Sequence, residues 1–166
     1  MAFDAFLKVD TVPGESQDSG HKDWIEILGY NHEIVQPASA SASTAGGGTA
    51  ERCEHKDFEI TKFIDKASPK LYEACCKGSH LKEVIIELCR AGGDKVKYME
   101  IKMEKVIVSR ISPIGDPKGK DAFPTEKVCF NYGTIGWTYT QQKRDDGSGG
   151  GNVAAGWSLI ENKTTA

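Results

Sequence analysis

Hydrophobic positions along this chain recur mostly with a period of two. Phe3, Ala5, Leu7 and Val9 alternate with Ala2, Asp4, Phe6 and Lys8, the pattern of a half-buried strand. A turn follows at Val12, Pro13 and Gly14, then a polar stretch over 15–22. From Asp23 to Asn31 the sequence D-W-I-E-I-L-G-Y-N is apolar on nearly both faces, which predicts one strand that is central or faces another protein. Phe58, Ile60 and Ile64 lead into a further strand. Residues 82–90 predict another, and Ala91, Gly92, Gly93 and Asp94 suit a tight hairpin turn. Two more strands are expected over 96–103 and 106–111, before a break rich in Pro and Gly over 112–122. Val128, Phe130 and Tyr132 alternate up to a bend at Gly133. Ile135, Trp137, Tyr139 and Gln141 then alternate again, giving a second hairpin. A glycine-rich loop over 145–151 precedes a final strand over 157–160.

One stretch, 61–78, breaks this rhythm and carries the single helix signal, at about 69–77. Ser68 can cap the first turn, and Pro69 presets φ at the first helical position. Gly78 suits a left-handed end, with Lys77 beside the negative pole of the dipole. At about nine residues the helix is shorter than the roughly 12 to 15 that persist alone in water, so its stripe of Leu71, Ala74, Cys75 and Tyr72 must lie on a sheet. Eight or nine short strands and one clip-like helix make the fold mainly β, a sandwich or small barrel.

The 166 residues suit one domain spanning 1–166. A chain of this length buries about 70% of its extended surface without needing a metal or disulfides. The net charge of −3 is spread along the chain with no clustered Lys and Arg, which argues against a nucleic-acid partner. Asp4 and Asp10 interrupt the N-terminus, so no cleaved signal peptide is expected. No later segment reads as a membrane span, and synthesis is expected in the cytoplasm. Cys53, Cys75, Cys76, Cys89 and Cys129 are odd in number and include an adjacent pair, which reads as reduced, mostly buried thiols. Cys53 is the expected accessible one.

The stretch 36–52, Q-P-A-S-A-S-A-S-T-A-G-G-G-T-A-E-R, holds no apolar side chain larger than alanine. It reads as a long loop of the kind that is functional or disordered. Candidate chemistry is sparse. Cys53 and His55 form a ligand pair without a metal template. The run from Gly147 to Gly151 lacks the ending of a phosphate-binding loop. Glu51, Glu54 and Asp57 could supply paired carboxylates, but they stand where the loop runs into an exposed strand face. No catalytic residue, cofactor or metal site is therefore expected.

Several ordered motifs resemble one family. They are the opening A-F-D-A-F-L-K-V-D-x-V-P-G-E-S-x-D, the central T-K-x-x-D-K-A-S-P-K-L-Y-E-A-C-C, the R-A-G-G-D, and the closing F-N-Y-G-x-I-x-W-T-Y-T-Q-Q-K-x-x-D-G with its A-G-W tail. From about Ala2 to Trp157 the chain resembles Hcp, the haemolysin-coregulated protein of type VI secretion systems. The resemblance implies a non-enzymatic β-barrel of two antiparallel sheets with a flanking helix, assembling as hexameric rings that stack into a tube. It also implies a contractile sheath around the tube, a VgrG spike at its tip, effectors in its lumen, and export without a cleaved signal. By the same resemblance Asn31 and His32 match the lumen-facing region where effectors bind. The 36–52 arm, with Ser39, Ser41, Ser43, Gly46, Gly47 and Gly48, matches the loop that reaches the next ring. Two other readings stay open: a monomeric β-barrel module binding a small ligand, and an acid–base enzyme using Glu51, Glu54 or His55.

Overall fold

The computed structural model describes residues 3–37, 51–92, 95–116, 118, 123–142 and 149–165. Among the described residues twelve strands and one helix follow in chain order: β1 Phe3–Val9, β2 Ile25–Ile27, β3 Gly29–Asn31, β4 Ile34–Val35, β5 Glu54–His55, β6 Phe58–Phe63, α1 Ser68–Lys77, β7 His80–Arg90, β8 Lys97–Ile114, β9 Thr125–Asn131, β10 Thr134–Gln142, β11 Gly149–Ser158 and β12 Lys163–Thr164. The chain is mainly β, as its alternation predicts, with one small two-stranded ladder of β4 and β5 beside a ten-stranded sheet.

The large sheet runs β12-β11-β10-β8-β7-β1-β2, and β8 also pairs with β9, β9 with β6, and β6 with β3. Only Leu28 separates β2 from β3, and its N–H donates to the Thr61 carbonyl at 2.7 Å. The ladder is thus open between β2 and β3, and the chain itself carries the wall across the gap. Residues 23–31 therefore form two short strands and not the single one expected. Ile25 and Ile27 face the core against β1, while Tyr30 is exposed against β6.

β8 corrects a second expectation. Residues 97–114 are continuous through the point where the pattern suggested a break. Ile101 and Met103 point inward, then Val106 and Val108 do, so the parity switches between 103 and 106. Lys105 takes φ of 55° at the switch, β7 pairs across it in unbroken register, and Gly133 donates its N–H to the carbonyls of Glu104 and Lys105. β10 pairs with β8 up to Glu104 and β9 pairs with it from Ile107 on, while β7 runs past the switch to Ile107, so the strand turns a corner between walls.

Two glycines are fixed by geometry. Gly78 ends α1 at φ 62°, as expected of a left-handed cap. Gly14 packs on the following loop so closely that a Cβ there would lie 2.3 Å from the Trp24 carbonyl oxygen. The start of α1 differs from the capping expectation: Ala67 holds the cap position without a side-chain bond, and Ser68 is already helical. The Ser68 hydroxyl is used inside the barrel wall instead. Gly149, Gly150 and Gly151, expected in a loop, open β11.

The core is filled by Leu7, Ile25, Phe58, Ile60, Ile86, Met103, Phe130 and Ile135, with Leu71 and Ala74 of α1 laid against it. These side chains occupy the interior that a small-ligand barrel would leave open.

Candidate functional site and family

Two polar clusters fasten appendages to the barrel. The first lies under α1. Phe58, Ile60 and Lys62 share the inward side of β6, and Glu126, Val128 and Phe130 share that of β9, so the register sets Lys62 directly opposite Glu126. Both side chains are fully buried, with Nζ to Oε1 at 2.6 Å. Lys62 also reaches Asp65 Oδ1 at 2.9 Å, the Phe63 carbonyl at 2.8 Å and Ser68 Oγ at 3.1 Å. The Ser68 and Tyr72 hydroxyls both donate to Glu126. Burial by itself would raise the Glu126 pKa, but hydrogen bonds from Lys62, Ser68 and Tyr72 outweigh it and hold the carboxyl below its ordinary value. Burial and the facing Glu126 push Tyr72 up to about 12.

The second cluster lies at the root of the 36–52 arm. β4 and β5 form its stem, with Ile34 opposite His55 and the Lys56 N–H donating to the Glu33 carbonyl at 3.0 Å. Gln36 Nε2 donates to the Glu51 carbonyl across the same stem. Tyr132, at the end of β9 and 4% exposed, reaches both sides of the stem. Its hydroxyl lies 2.7 Å from His32 Nε2 and 2.8 Å from His55 Nδ1. His32 also packs on Phe58, with ring centroids 4.9 Å apart.

The phenol has one proton to give, so one histidine accepts it and the other must donate to the oxygen. Burial first, then the neighbouring His55, holds His32 below the usual histidine range, and burial alone does so for His55. Burial, Asp57 and Cys53 drive Tyr132 upward, so the phenol stays protonated.

The residues singled out in the sequence are distributed unevenly around these clusters. Asn31 is exposed on β3, where it pairs with Glu59, and His32 is half-buried beside it. Ser39, Ser41, Ser43, Gly46, Gly47 and Gly48 lie outside the described residues. Glu54 pairs with Lys56 at 3.6 Å while His55 turns to Tyr132, so Glu54 and His55 are not brought together as an acid–base pair. Among the described residues no group of three His, Cys, Asp or Glu side chains is placed to hold a metal. Cys53 is half-buried, whereas Cys76 on α1 is exposed, which reverses the expected order of accessibility.

Three residues that carry these clusters were not singled out by sequence reasoning. Lys62 and Glu126 each occupy the next inward position of an alternating strand, and charged residues in two facing apolar registers are the available signal. Tyr132 was read only as the third member of an apolar alternation. No helix of the described residues is long and apolar enough to cross a membrane.

Several surfaces are left uncovered. β11 is the edge of the sheet, and β12 pairs with it only at Trp157 and Ser158. Val153 on that edge is 71% exposed, opposite exposed Tyr139. Around the β2 end of the sheet, Phe3, Leu28, Phe63 and Phe123 are also exposed, and Phe63 and Phe123 meet edge to face at 6.5 Å.

Comparison with known proteins joins this architecture to a family. The model of the family described as "Type VI secretion system effector, Hcp" matches residues 6–139. The chain is 36% identical over 163 residues to protein hcp1 of Pseudomonas aeruginosa, covering 98% of each. It is 33% identical over 132 residues to the major exported protein of the same species, covering 76% of this chain and 74% of that one. A solved structure described as a type six secretion system protein superposes with a TM-score of 0.92 at 34% identity, covering 99% of this chain and 100% of that one. The motifs, the barrel with its flanking helix and these likenesses extend over the same residues, and the chain belongs to the Hcp family of type VI secretion system proteins.

Proposed function

We propose that this protein is a non-enzymatic structural component of a type VI secretion tube. One tube domain spans 1–166, six copies close into a ring, and rings stack to form the inner tube. The near full-length likeness to protein hcp1 carries this reading. The uncovered surfaces suit it: a head-to-tail ring needs two different contact patches on each subunit, and exposed apolar residues stand both on the β11 edge and around the β2 end of the same sheet.

In this reading the 36–52 arm reaches the next ring, a contractile sheath surrounds the tube, a VgrG spike caps it, and effectors travel in the lumen. Asn31 is the residue offered to cargo, because His32 has its Nε2 committed to Tyr132. The protein is made in the cytoplasm and exported without a cleaved signal. The name of the major exported protein, a relative, is in keeping with export.

Negative-stain electron microscopy with light scattering on the same sample tests the assembly. Six-fold rings are expected. A clean monomer across concentrations would remove the tube reading and return attention to a binding-module role.

A further inference from the structure

We propose that His32, Tyr132 and His55 form a proton-sensitive latch that docks the stem of the 36–52 arm on the barrel and releases it in mild acid. The argument begins with connectivity. The arm leaves the barrel through β4 and returns through β5, and among the described residues these strands pair only with each other, outside the ten-stranded sheet. The Tyr132 hydroxyl bonds both chain segments of the stem at once, to His32 just before β4 and to His55 in β5. One buried oxygen thus touches both chain segments of the stem, with Arg52 on the return segment also donating to the Leu159 carbonyl.

That arrangement works in one protonation state. With both imidazoles neutral, one ring donates to the phenol oxygen and the phenol donates to the other, so both hydrogens at that oxygen have an acceptor. Adding a proton to the accepting ring nitrogen turns the acceptor into a donor. Two N–H groups then converge on the phenol oxygen, while the phenol's own hydrogen loses its acceptor inside a residue that is 4% exposed. A cation also arrives beside a second imidazole whose ring centre is 6.5 Å away. Opening the stem to water relieves both penalties.

The surrounding charges do not offset the added proton. On the stem, Glu54 is matched by Lys56, the Arg52 guanidinium donates to the Leu159 carbonyl, and Glu33, Glu51 and Cys53 are the remaining titratable groups. Asp57, in the turn into β6, is occupied by hydrogen bonds from Ser109 of β8 and Asn131 of β9. From β6 itself the histidine meets the apolar ring of Phe58, on which Tyr30 of β3 stacks. The low pKa of both histidines agrees with this setting, since the neutral form is the one the site favours.

The latch acts on the arm of the tube reading and rests on that reading for its consequence, which is loss of axial stacking in acid. The test is amide exchange, corrected for its intrinsic pH dependence, on the full chain at about pH 7.5 and about pH 5, together with sedimentation of the same samples. Protection of the Lys56 N–H is expected to fall by about tenfold or more in acid, while β7 amides hold. His32→Gln with His55→Asn places an uncharged amide at Nε2 of one ring and Nδ1 of the other, and is expected to abolish the pH response.

Equal stem protection at both pH values overturns the latch, and so does an unchanged response in the double variant. Should that variant not fold, the imidazole nitrogen shifts of the wild-type protein decide. Titration of His32 and His55 below 6.5, in step with stem opening, supports the latch, and ordinary titration of both overturns it. A stem that opens on cue in a protein that never stacks keeps the latch and removes the tube reading instead.

Discussion

Helix α1 and the root of the 36–52 arm are both held to the barrel by polar side chains, and they are held differently. Under the helix, Lys62 and Glu126 are fully buried and surrounded by Ser68, Tyr72 and Asp65. At the arm, Tyr132 is buried but its two partners are half-exposed imidazoles. A dry ion pair has no cheap alternative state, because removing either charge strands the other. A neutral chain of hydrogen bonds at the water's edge has one, since a single proton reverses a donor. The same barrel thus fixes one appendage permanently and another conditionally.

The comparison is broken most severely at Glu126. Glu126→Ala leaves the Lys62 charge buried without its partner and is expected to destabilise the fold by about 3–5 kcal/mol in denaturant titration. Replacing the pair together, Lys62→Met with Glu126→Leu, is expected to restore most of that loss, because neither buried charge is then left without its partner. A double variant as unstable as Glu126→Ala would mean that Ser68 and Tyr72, and not the ion pair, carry the cost.

At the arm the expected effect is smaller. Tyr132→Phe keeps the ring in the core and removes one hydroxyl, for a loss of about 1–3 kcal/mol. That loss should be local: amides of β4 and β5 lose protection while those of β7 do not. A uniform loss across the barrel would make Tyr132 a core residue with no special claim on the stem.

Much of the fold was legible in the sequence, because period-two alternation reports the facing of strands directly. It misled where backbone geometry intervened. The left-handed backbone at Lys105 marks the switch in the facing of β8 that imitates a chain break, and the bend at Leu28 divides a stretch whose apolar run looked continuous. Ser68 was recognised as a residue with work to do, but its position before Pro69 suggested a cap when its hydroxyl serves Glu126. The polar clusters were the least legible part. The contacts they depend on join residues 58, 64, 77 and 100 positions apart, and no local pattern announces such partners.

The subtlest way to sharpen the comparison is to titrate both attachments in one experiment. His32 and His55 have folded pKa values below the ordinary 6.5, so an unfolded or undocked stem binds more protons than the docked one. Their contribution is complete above that value and is lost as pH falls through it toward the folded pKa values. Glu126 is likewise held below its ordinary 4.5, so the helix attachment is intact above that value and fails only as pH falls further. Both attachments weaken in acid, yet in separate windows. Amide exchange stepped downward in pH should therefore show the stem amides opening first and the α1 amides later, with an interval in which the arm is loose on an otherwise intact barrel. Simultaneous opening would mean that the two clusters are coupled through the core, and the distinction between a permanent and a conditional attachment would not survive it.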